Sequence, residues 1–224
     1  MTDKDSVLQL LCAALRTEGL LLRGGFHPEP DDDAPPGTAT LLLVGNAGPE
    51  MWHAFEKGRR RGTDPLNDWT RRVLSGVADR FGAAAIFPFD GPPYAPFFGW
   101  ARQAEAVSES PIGMMIHPAY GLWYAWRRAL AFREKLAVPE FEPVPRPCDG
   151  CNDEPCRTAC PVDAFRDGTY DVAACAAHLR TEAGADCMAL GCRARRVCPI
   201  GSDHIYAPAQ ARFHMRAFLR NQPP

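Results

Sequence analysis

The stretch Cys148-Asp-Gly-Cys151-Asn-Asp-Glu-Pro-Cys156-Arg-Thr-Ala-Cys160-Pro161 has the spacing C-x2-C-x4-C-x3-C-P. Three thiolates on one tight loop can bind one face of an iron–sulfur cube. The fourth cysteine, at the start of a helix, is turned away from that face. In proteins with two such cubes, the fourth cysteine of the run ligates the other cluster. The block therefore predicts two iron–sulfur centres close together.

Four more cysteines follow this block, and the last of them also precedes a proline. The chain has nine cysteines, of which only Cys12 lies outside residues 148–198, and it is predicted to be a small core side chain. Eight thiolates at four per cube make two [4Fe–4S] clusters. The crossed rule predicts one cluster on Cys148, Cys151, Cys156 and Cys198, and the other on Cys160, Cys175, Cys187 and Cys192.

Three alternatives to a pair of clusters remain open. A disulfide framework needs an oxidising compartment, but MTDKDS lacks a basic segment followed by an apolar one, so we expect no secretory signal and a cytoplasmic protein. Zinc favours C-x2-C pairs, which the second half does not offer. A single cube with four structural cysteines is the third alternative. The basic run of Arg193, Arg195 and Arg196 is a solvated face, a neutralising group or a docking point for an acidic electron donor.

Composition excludes several classes of protein. The 224 residues are 46% hydrophobic and 23% charged, the mix of a globular domain rather than a disordered chain. No run of about 18 apolar residues is present, so we expect no membrane span. A formal net charge of -2 gives no global footprint for nucleic acid, and we expect no nucleic-acid partner.

The pattern upstream of the cysteines alternates helices and strands, which predicts an α/β or α+β domain, and the resemblance given below implies α+β. Helices are expected over residues 1–26 and 97–107, and two more are expected to begin near Pro49 and at Pro65. The apolar face of the helix from Pro65 is expected to be Leu66, Trp69, Val73, Val77 and Phe81. Strands are expected over residues 38–44, 83–87, 112–116 and 122–132. The proline-rich stretch 138–147 predicts a linker. Domains are therefore predicted at residues 1–143 and 144–224, the second ending in a helix over residues 205–219. Between the cysteine blocks, residues 165–170 are predicted to form a two-stranded spacer.

The cysteine pattern resembles known iron–sulfur proteins. Residues 148–161 resemble the dicluster ferredoxin modules of respiratory oxidoreductases. The two-block layout, with Cys175 between the blocks, is similar to the iron–sulfur half of epoxyqueuosine reductase, a cobalamin-dependent enzyme. The second block departs from that family, which has a C-x2-C pair where this chain has Cys187-x4-Cys192.

A second resemblance lies in Ile112-Gly-Met-Met-Ile-His117-Pro-Ala-Tyr-Gly121-Leu-Trp123-Tyr-Ala-Trp-Arg127. This stretch is similar to the family of the cobalamin-processing protein affected in cblC-type methylmalonic aciduria with homocystinuria. That family shows the same Ile-His-Pro, Gly-x-Trp and an arginine four residues after the tryptophan. The resemblance implies a flavin-reductase/nitroreductase-like N-terminal domain beside a small ferredoxin-like C-terminal one. It also implies base-off cobalamin binding and removal of the upper axial ligand by reduction or by transfer to glutathione.

The candidate cobalamin contacts are His117, Tyr120, Trp123, Arg127 and Trp100. A corrin needs a wide and mostly apolar cleft with a few placed polar groups, and aromatic side chains suit its walls. By the resemblance, Arg127 lies beside the cofactor and helps to bind glutathione. The plainer alternatives are core aromatic residues, a loop histidine bonded to backbone, and a surface salt bridge for Arg127.

Together these features predict an iron–sulfur oxidoreductase: a cobalamin reductase that removes an upper axial ligand (decyanating or dealkylating) and passes electrons through two clusters to cobalt. The electrons would come from an external low-potential donor such as a ferredoxin, flavodoxin or reductase, and a flavin is a further candidate cofactor. Two alternatives stay open. One is a cobalamin-dependent reductase of an organic substrate, resembling epoxyqueuosine reductase. The other is a non-enzymatic dicluster electron carrier or cobalamin chaperone.

Overall fold

The computed structural model of the chain describes residues 3–138, 141, 143–166 and 168–223. Contacts divide it into two compact units: a first unit of Met1–Ala106 with Tyr124–Pro143, and a second unit of Val107–Trp123 with Val144–Pro224. The domain border expected between residues 143 and 144 stays a prediction. Val107–Trp123 belongs to the second unit, although residues of the first unit precede and follow this segment in the sequence.

Helices and strands occur throughout the described residues, so the α+β class is confirmed. The strands are β1 (Leu21–Phe26), β2 (Thr40–Ala47), β3 (Ala84–Ile86), β4 (Ser108–Glu109), β5 (Met115–Ile116) and β6 (Tyr124–Phe132). The helices are α1 (Asp3–Arg16), α2 (Glu50–Gly58), α3 (Pro65–Phe81), α4 (Phe97–Ala104), α5 (Pro155–Thr158), α6 (Val172–Leu179), α7 (Ala185–Leu190), α8 (Arg193–Arg196) and α9 (Pro208–Arg220). None of the helices described is long and apolar enough to span a bilayer.

The first unit is built on an antiparallel sheet of order β1-β2-β6-β3. Strand β2 is buried at all eight positions, which explains its unbroken apolar run, because a strand covered on both faces has no polar side. Helices from α1 to α4 supply the cover, with contacts from α2 and α4 to β2 and from α3 to β3 and β6. A buried ion pair between Arg23 of β1 and Glu105, directly after α4, joins the helix to the sheet at 2.7 Å.

Several expected elements have different bounds. The helix expected over residues 1–26 is wrong beyond Arg16, because residues 21–26 form β1 and pair with β2. Helix α3 begins where expected, with Asp64 as its N-cap, but its buried face is Leu66, Trp69, Thr70, Leu74 and Ala78. Val73, Val77 and Phe81 are only half-buried. Helix α4 ends at Ala104, and the strand expected over residues 112–116 is reduced to β5.

The second unit has short helices, a small β4–β5 hairpin and a core made partly of thiols. Ile112, Ile116, Leu122, Cys156 and Ala194 form this core. The backbone passes very close to itself here: a Cβ at Gly121, whose φ is +55°, would overlap the carbonyl oxygen of Ile200. Only glycine suits that position.

In the spacer between the cysteine blocks, the described residues 165–166 and 168–170 do not form the expected pair of strands, and Asp167 lies outside the described residues. Thr169 donates its backbone N–H to the carbonyl oxygen of Arg166. Phe165 and Tyr170 stack with ring centroids 4.8 Å apart. The closing helix begins at Pro208 rather than at residue 205.

Candidate metal centres

One cavity in the second unit, the first cavity below, has a volume of about 570 Å³. Its thiol lining is Cys148, Cys151, Cys156 and Cys198. Short helical turns present these groups: Cys148 lies in the turn Pro147–Gly150, and Cys156 lies in α5, whose first residue is a proline that starts the helix. The rest of the wall is mainly apolar or proline, with Asp153 and Glu154 among its polar residues.

The second cavity has a volume of about 360 Å³ and contains the other four cysteines, Cys160, Cys175, Cys187 and Cys192. Helix α6 carries Cys175 and α7 carries Cys187, and Cys192 precedes α8. Its wall differs from that of the first cavity, because it includes Trp123, Tyr170, His178, Arg193, Arg195 and His214. Aromatic rings, imidazoles and guanidinium groups therefore surround these thiols.

The structure thus brings together the four cysteines of each predicted set along one cavity. The pKa values of these thiols also reflect how close they lie to one another. Burial, and then the thiols of Cys198, Cys156 and Cys151, raise the pKa of Cys148. In the second cavity, burial raises the pKa of Cys175, the hydroxyl of Tyr170 lowers it by a hydrogen bond, and Cys160 and Cys187 raise it.

The donor set fits a group larger than one ion. Each cavity offers four soft thiol ligands, and each volume is many times the roughly 30 Å³ occupied by one water. Buried neighbouring thiolates repel one another, so a bound cation would stabilise the ionised thiols. Among the residues that the structure describes, no group of three or more His, Cys, Asp and Glu side chains is arranged around a single metal ion. That the cavities bind [4Fe–4S] clusters stays a prediction.

The three arginines after Cys192 have partners within the second unit. Arg193 and Arg196 both pair with Asp186 of α7, and these hydrogen bonds, that of Arg193 foremost, hold the pKa of the carboxyl below its usual value. Arg195 donates to the carbonyl oxygen of Leu122, with Nε at 2.9 Å. Its guanidinium also stacks 4.2 Å from the ring centroid of Trp123. All three guanidinium groups therefore have partners within the unit, an arrangement that differs from the three interpretations of this basic run, which stay predictions.

Three of the candidate cobalamin contacts lie in the second unit. His117 and Tyr120 stack at 4.5 Å, and the imidazole Nδ1 accepts the backbone N–H groups of Ala119, at 3.0 Å, and Tyr120, at 3.3 Å. His117 is thus a loop histidine bonded to backbone. Trp123 is 1% exposed, packs on Tyr206 and lines the second cavity.

The other two candidates belong to the first unit and have structural contacts there. Trp100 is 1% exposed, and its Nε1 donates to the carbonyl oxygen of Asp32 at 2.7 Å. Arg127 is half-buried on β6, and its Nε donates to Asn46 Oδ1 at 3.0 Å. Their roles towards cobalamin stay predictions.

The sequence reasoning missed two side chains at the second cavity. Tyr170 lines this cavity with Cys175 and lowers the pKa of its thiol, and His178 lies one helical turn after that cysteine on α6. The spacing Cys175-x2-His178 places the two side chains on one face of a helix, and this spacing could have identified His178 as a neighbour of the thiol.

No protein-family model matches the chain, and no curated protein matches it. Solved structures share its fold. An epoxyqueuosine reductase solved with an epoxyqueuosine-modified tRNA stem loop has a TM-score of 0.54 at 14% identity, covering 92% of this chain and 68% of that one. A selenomethionine-labelled epoxyqueuosine reductase has a TM-score of 0.55 at 14% identity, covering 93% and 69%. The B12-trafficking protein CblC of C. elegans has a TM-score of 0.51 at 15% identity and covers 98% of both chains. At such identity the likeness shows the fold alone.

Proposed function

We propose that the chain is an iron–sulfur protein that acts on cobalamin and reductively removes its upper axial ligand. One observation carries the proposal: eight cysteines line two cavities in sets of four, in a chain whose fold is similar to both a B12-trafficking protein and epoxyqueuosine reductase. The fold likeness supports cobalamin processing or a related reductase function. The thiol cavities favour an electron-transferring version of that function.

The residues that would hold the two clusters are the thiols of the first set (Cys148, Cys151, Cys156, Cys198) and of the second set (Cys160, Cys175, Cys187, Cys192). When bound, the clusters would supply one-electron transfer at low potential to the cobalt of a corrinoid. The flavin-reductase-like and ferredoxin-like domain assignments belong to this proposal. A flavin or glutathione as a further reactant, and an external low-potential electron donor, belong to it as well.

The protein's own residues would bind, orient and exclude water. Ile116 and Leu122 form an apolar wall of the first cavity, which keeps water from the thiols there. Because Nδ1 of His117 accepts two backbone N–H groups, a neutral imidazole carries its proton on Nε2. That atom is then a hydrogen-bond donor, suited to an amide or axial oxygen of a corrinoid. Trp123, fixed by Arg195, would place a flat apolar surface beside the second cavity.

The test is a titration of anaerobic, cluster-loaded protein with hydroxocobalamin and cyanocobalamin, followed by visible absorption and EPR. We expect one-to-one binding and, after addition of a low-potential reductant, the Co(II) spectrum. A control without protein measures direct reduction of the corrinoid. A second control uses the double variant Cys192→Ala/Cys198→Ala, which removes one thiol from each cavity. Reduced clusters beside an unchanged cobalamin spectrum would overturn the proposal.

A second candidate is a cobalamin-dependent reductase of an organic substrate. The fold likeness to epoxyqueuosine reductase, over 92% of this chain, favours it. The two candidates differ in how tightly the corrinoid is kept, because a processing protein releases its product and an enzyme with a resident cofactor retains it. Cobalamin that copurifies and survives dialysis would favour the second candidate. Failure to bind any corrinoid would instead favour an electron carrier.

A further inference from the structure

The two thiol cavities differ in the polar groups that face them. Among the described residues that line the first cavity there is no tyrosine, histidine or arginine, and Asp153 and Glu154 are present. The second cavity has all three types, and its lining includes Tyr170, His178, His214, Arg193 and Arg195. Hydrogen bonds to cluster sulfurs and positive charge nearby both favour the reduced, more negative form.

We propose that Tyr170 is a positioning residue that donates a hydrogen bond to Cys175 Sγ and thereby raises the reduction potential of the cluster in the second cavity. The inference rests on the proposed function in one respect, namely that this cavity holds a [4Fe–4S] cluster. It goes beyond that function because it assigns a role to a residue that is not a cluster ligand. It also predicts that this residue raises the reduction potential of one cluster and not of the other.

The geometry around Tyr170 supports this role. Tyr170 and Cys175 both line the second cavity, and the Tyr170 hydroxyl lowers the pKa of the Cys175 thiol, although Tyr170 as a whole is 41% exposed. Stacking holds the ring, whose centroid lies 4.8 Å from that of Phe165, with 13° between the ring planes, and 6.4 Å from that of Phe218. A ring packed on both neighbours holds its hydroxyl at one place in the cavity wall, within the lining that contains the thiol.

His178 gives independent support for an acceptor in this cavity. Its Nε2 is buried and makes no hydrogen bond within the described part of the chain. A buried ring nitrogen without a partner costs free energy, which an acceptor in the cavity would remove. Cys175 and His178 are three residues apart on α6, so both side chains project from the same face of the helix.

The test is the variant Tyr170→Phe, which keeps the ring and loses the hydroxyl. Iron and acid-labile sulfide are measured first, and EPR-monitored redox titration of the intact protein with mediators follows. We expect one of the two midpoint potentials to move to a more negative value while the other stays. A tenfold change in the reduction equilibrium corresponds to a shift of 59 mV for a one-electron couple. The signal that moves should be the one lost in Cys187→Ala.

The matched control is Tyr94→Phe, which removes a hydroxyl from a tyrosine that is 64% exposed in the first unit and should shift neither potential. A fully loaded Tyr170→Phe variant with both potentials unchanged would overturn the inference. If this variant loses iron, ENDOR of wild-type protein with 17O-labelled tyrosine hydroxyls decides instead, because Tyr170 is the tyrosine in the described lining of this cavity. A 17O coupling to the Cys187-dependent cluster supports the inference, and its absence rejects it. Wild-type protein without clusters would reject the proposed function itself, so the two failures are distinguishable.

Discussion

The two cavities make a specific prediction for paired cysteine substitutions. Cys192 and Cys198 are near neighbours in sequence but line different cavities, whereas Cys148 and Cys198 are far apart in sequence and line the same one. If each cavity holds one cube of about four irons, each single substitution should remove about half of the iron. Cys192→Ala/Cys198→Ala should then remove nearly all of it. Cys148→Ala/Cys198→Ala should remove no more than either single change.

This difference follows from whether the two substituted thiols share a cluster. Effects of changes at independent sites add, and effects within one ligand set do not, because the first loss already releases the group. The assay is anaerobic reconstitution, followed by iron and sulfide analysis per chain and by EPR of the reduced protein. Cys12→Ala is the control, since this residue belongs to α1 of the first unit and should leave the iron content unchanged.

The opposite pattern would refute the crossed arrangement. If Cys148→Ala/Cys198→Ala removed all the iron and Cys192→Ala/Cys198→Ala only half, the ligand sets would follow sequence order. The cavities would then not report cluster ligation. A wild-type content near four irons, unchanged by substitutions in the second cavity, would leave a single cube with four structural cysteines.

Three further predictions concern the scaffold and are tested by denaturant unfolding of purified protein. Gly121→Ala should lower the free energy of unfolding by about 3 kcal/mol or more, because the positive φ of Gly121 and the overlap with backbone both oppose a Cβ. The control is Gly76→Ala in α3, where nothing lies within 4 Å of the added Cβ; this change should raise the free energy of unfolding by up to about 1 kcal/mol. Arg195→Met should lower it by about 2 kcal/mol through lost hydrogen bonds and ring stacking, and an unchanged value would contradict the role of Arg195 in fixing Trp123. Arg23→Met should cost about 3–5 kcal/mol at pH 7, where it leaves the buried Glu105 carboxylate without its cationic partner, although the indole N–H of Trp126 still donates to it. Burial raises the pKa of Glu105, and Arg23 lowers it, so the loss of Arg23 should raise this pKa further. The loss in free energy of unfolding should therefore grow from pH 4 to pH 7, as the carboxyl ionises. A loss that does not depend on pH would speak against this cause.

Short-range chemistry made part of this molecule predictable. The cysteine pattern predicted two sets of four thiols, and the structure places the members of each set along one cavity. That either set ligates a cluster stays a prediction. The unbroken apolar pattern predicted a strand over residues 38–44, and β2 is formed by Thr40–Ala47. Asp64-Pro65 marked the start of α3, because an N-cap side chain and a proline at the first helical position each suit a helix start.

Long-range packing accounts for what was missed. Residues 1–26 are rich in leucine, and their pattern does not show where a helix gives way to an edge strand that pairs with β2. The face of α3 is shifted because the side chains that are covered depend on where the sheet lies, and Val73 and Leu74 are equally apolar by type. The bond from Tyr170 to Cys175 depends on how the intervening turn folds, and the residues alone give no measure of that.

The segment Val107–Trp123 contains three of the proposed cobalamin contacts and also packs beside the thiol cavities. It carries the residues most similar to a cobalamin-processing family, yet it packs within the second unit beside the thiols: Ile116 and Leu122 share a core with Cys156, and Trp123 lines the second cavity. Gly121 lies against the backbone of Ile200, two residues after Cys198. A cluster held by Cys198 would fix the position of Ile200, whose carbonyl oxygen lies against Gly121 in the turn that begins at His117. We therefore expect cluster loading and corrinoid affinity to be coupled through this turn.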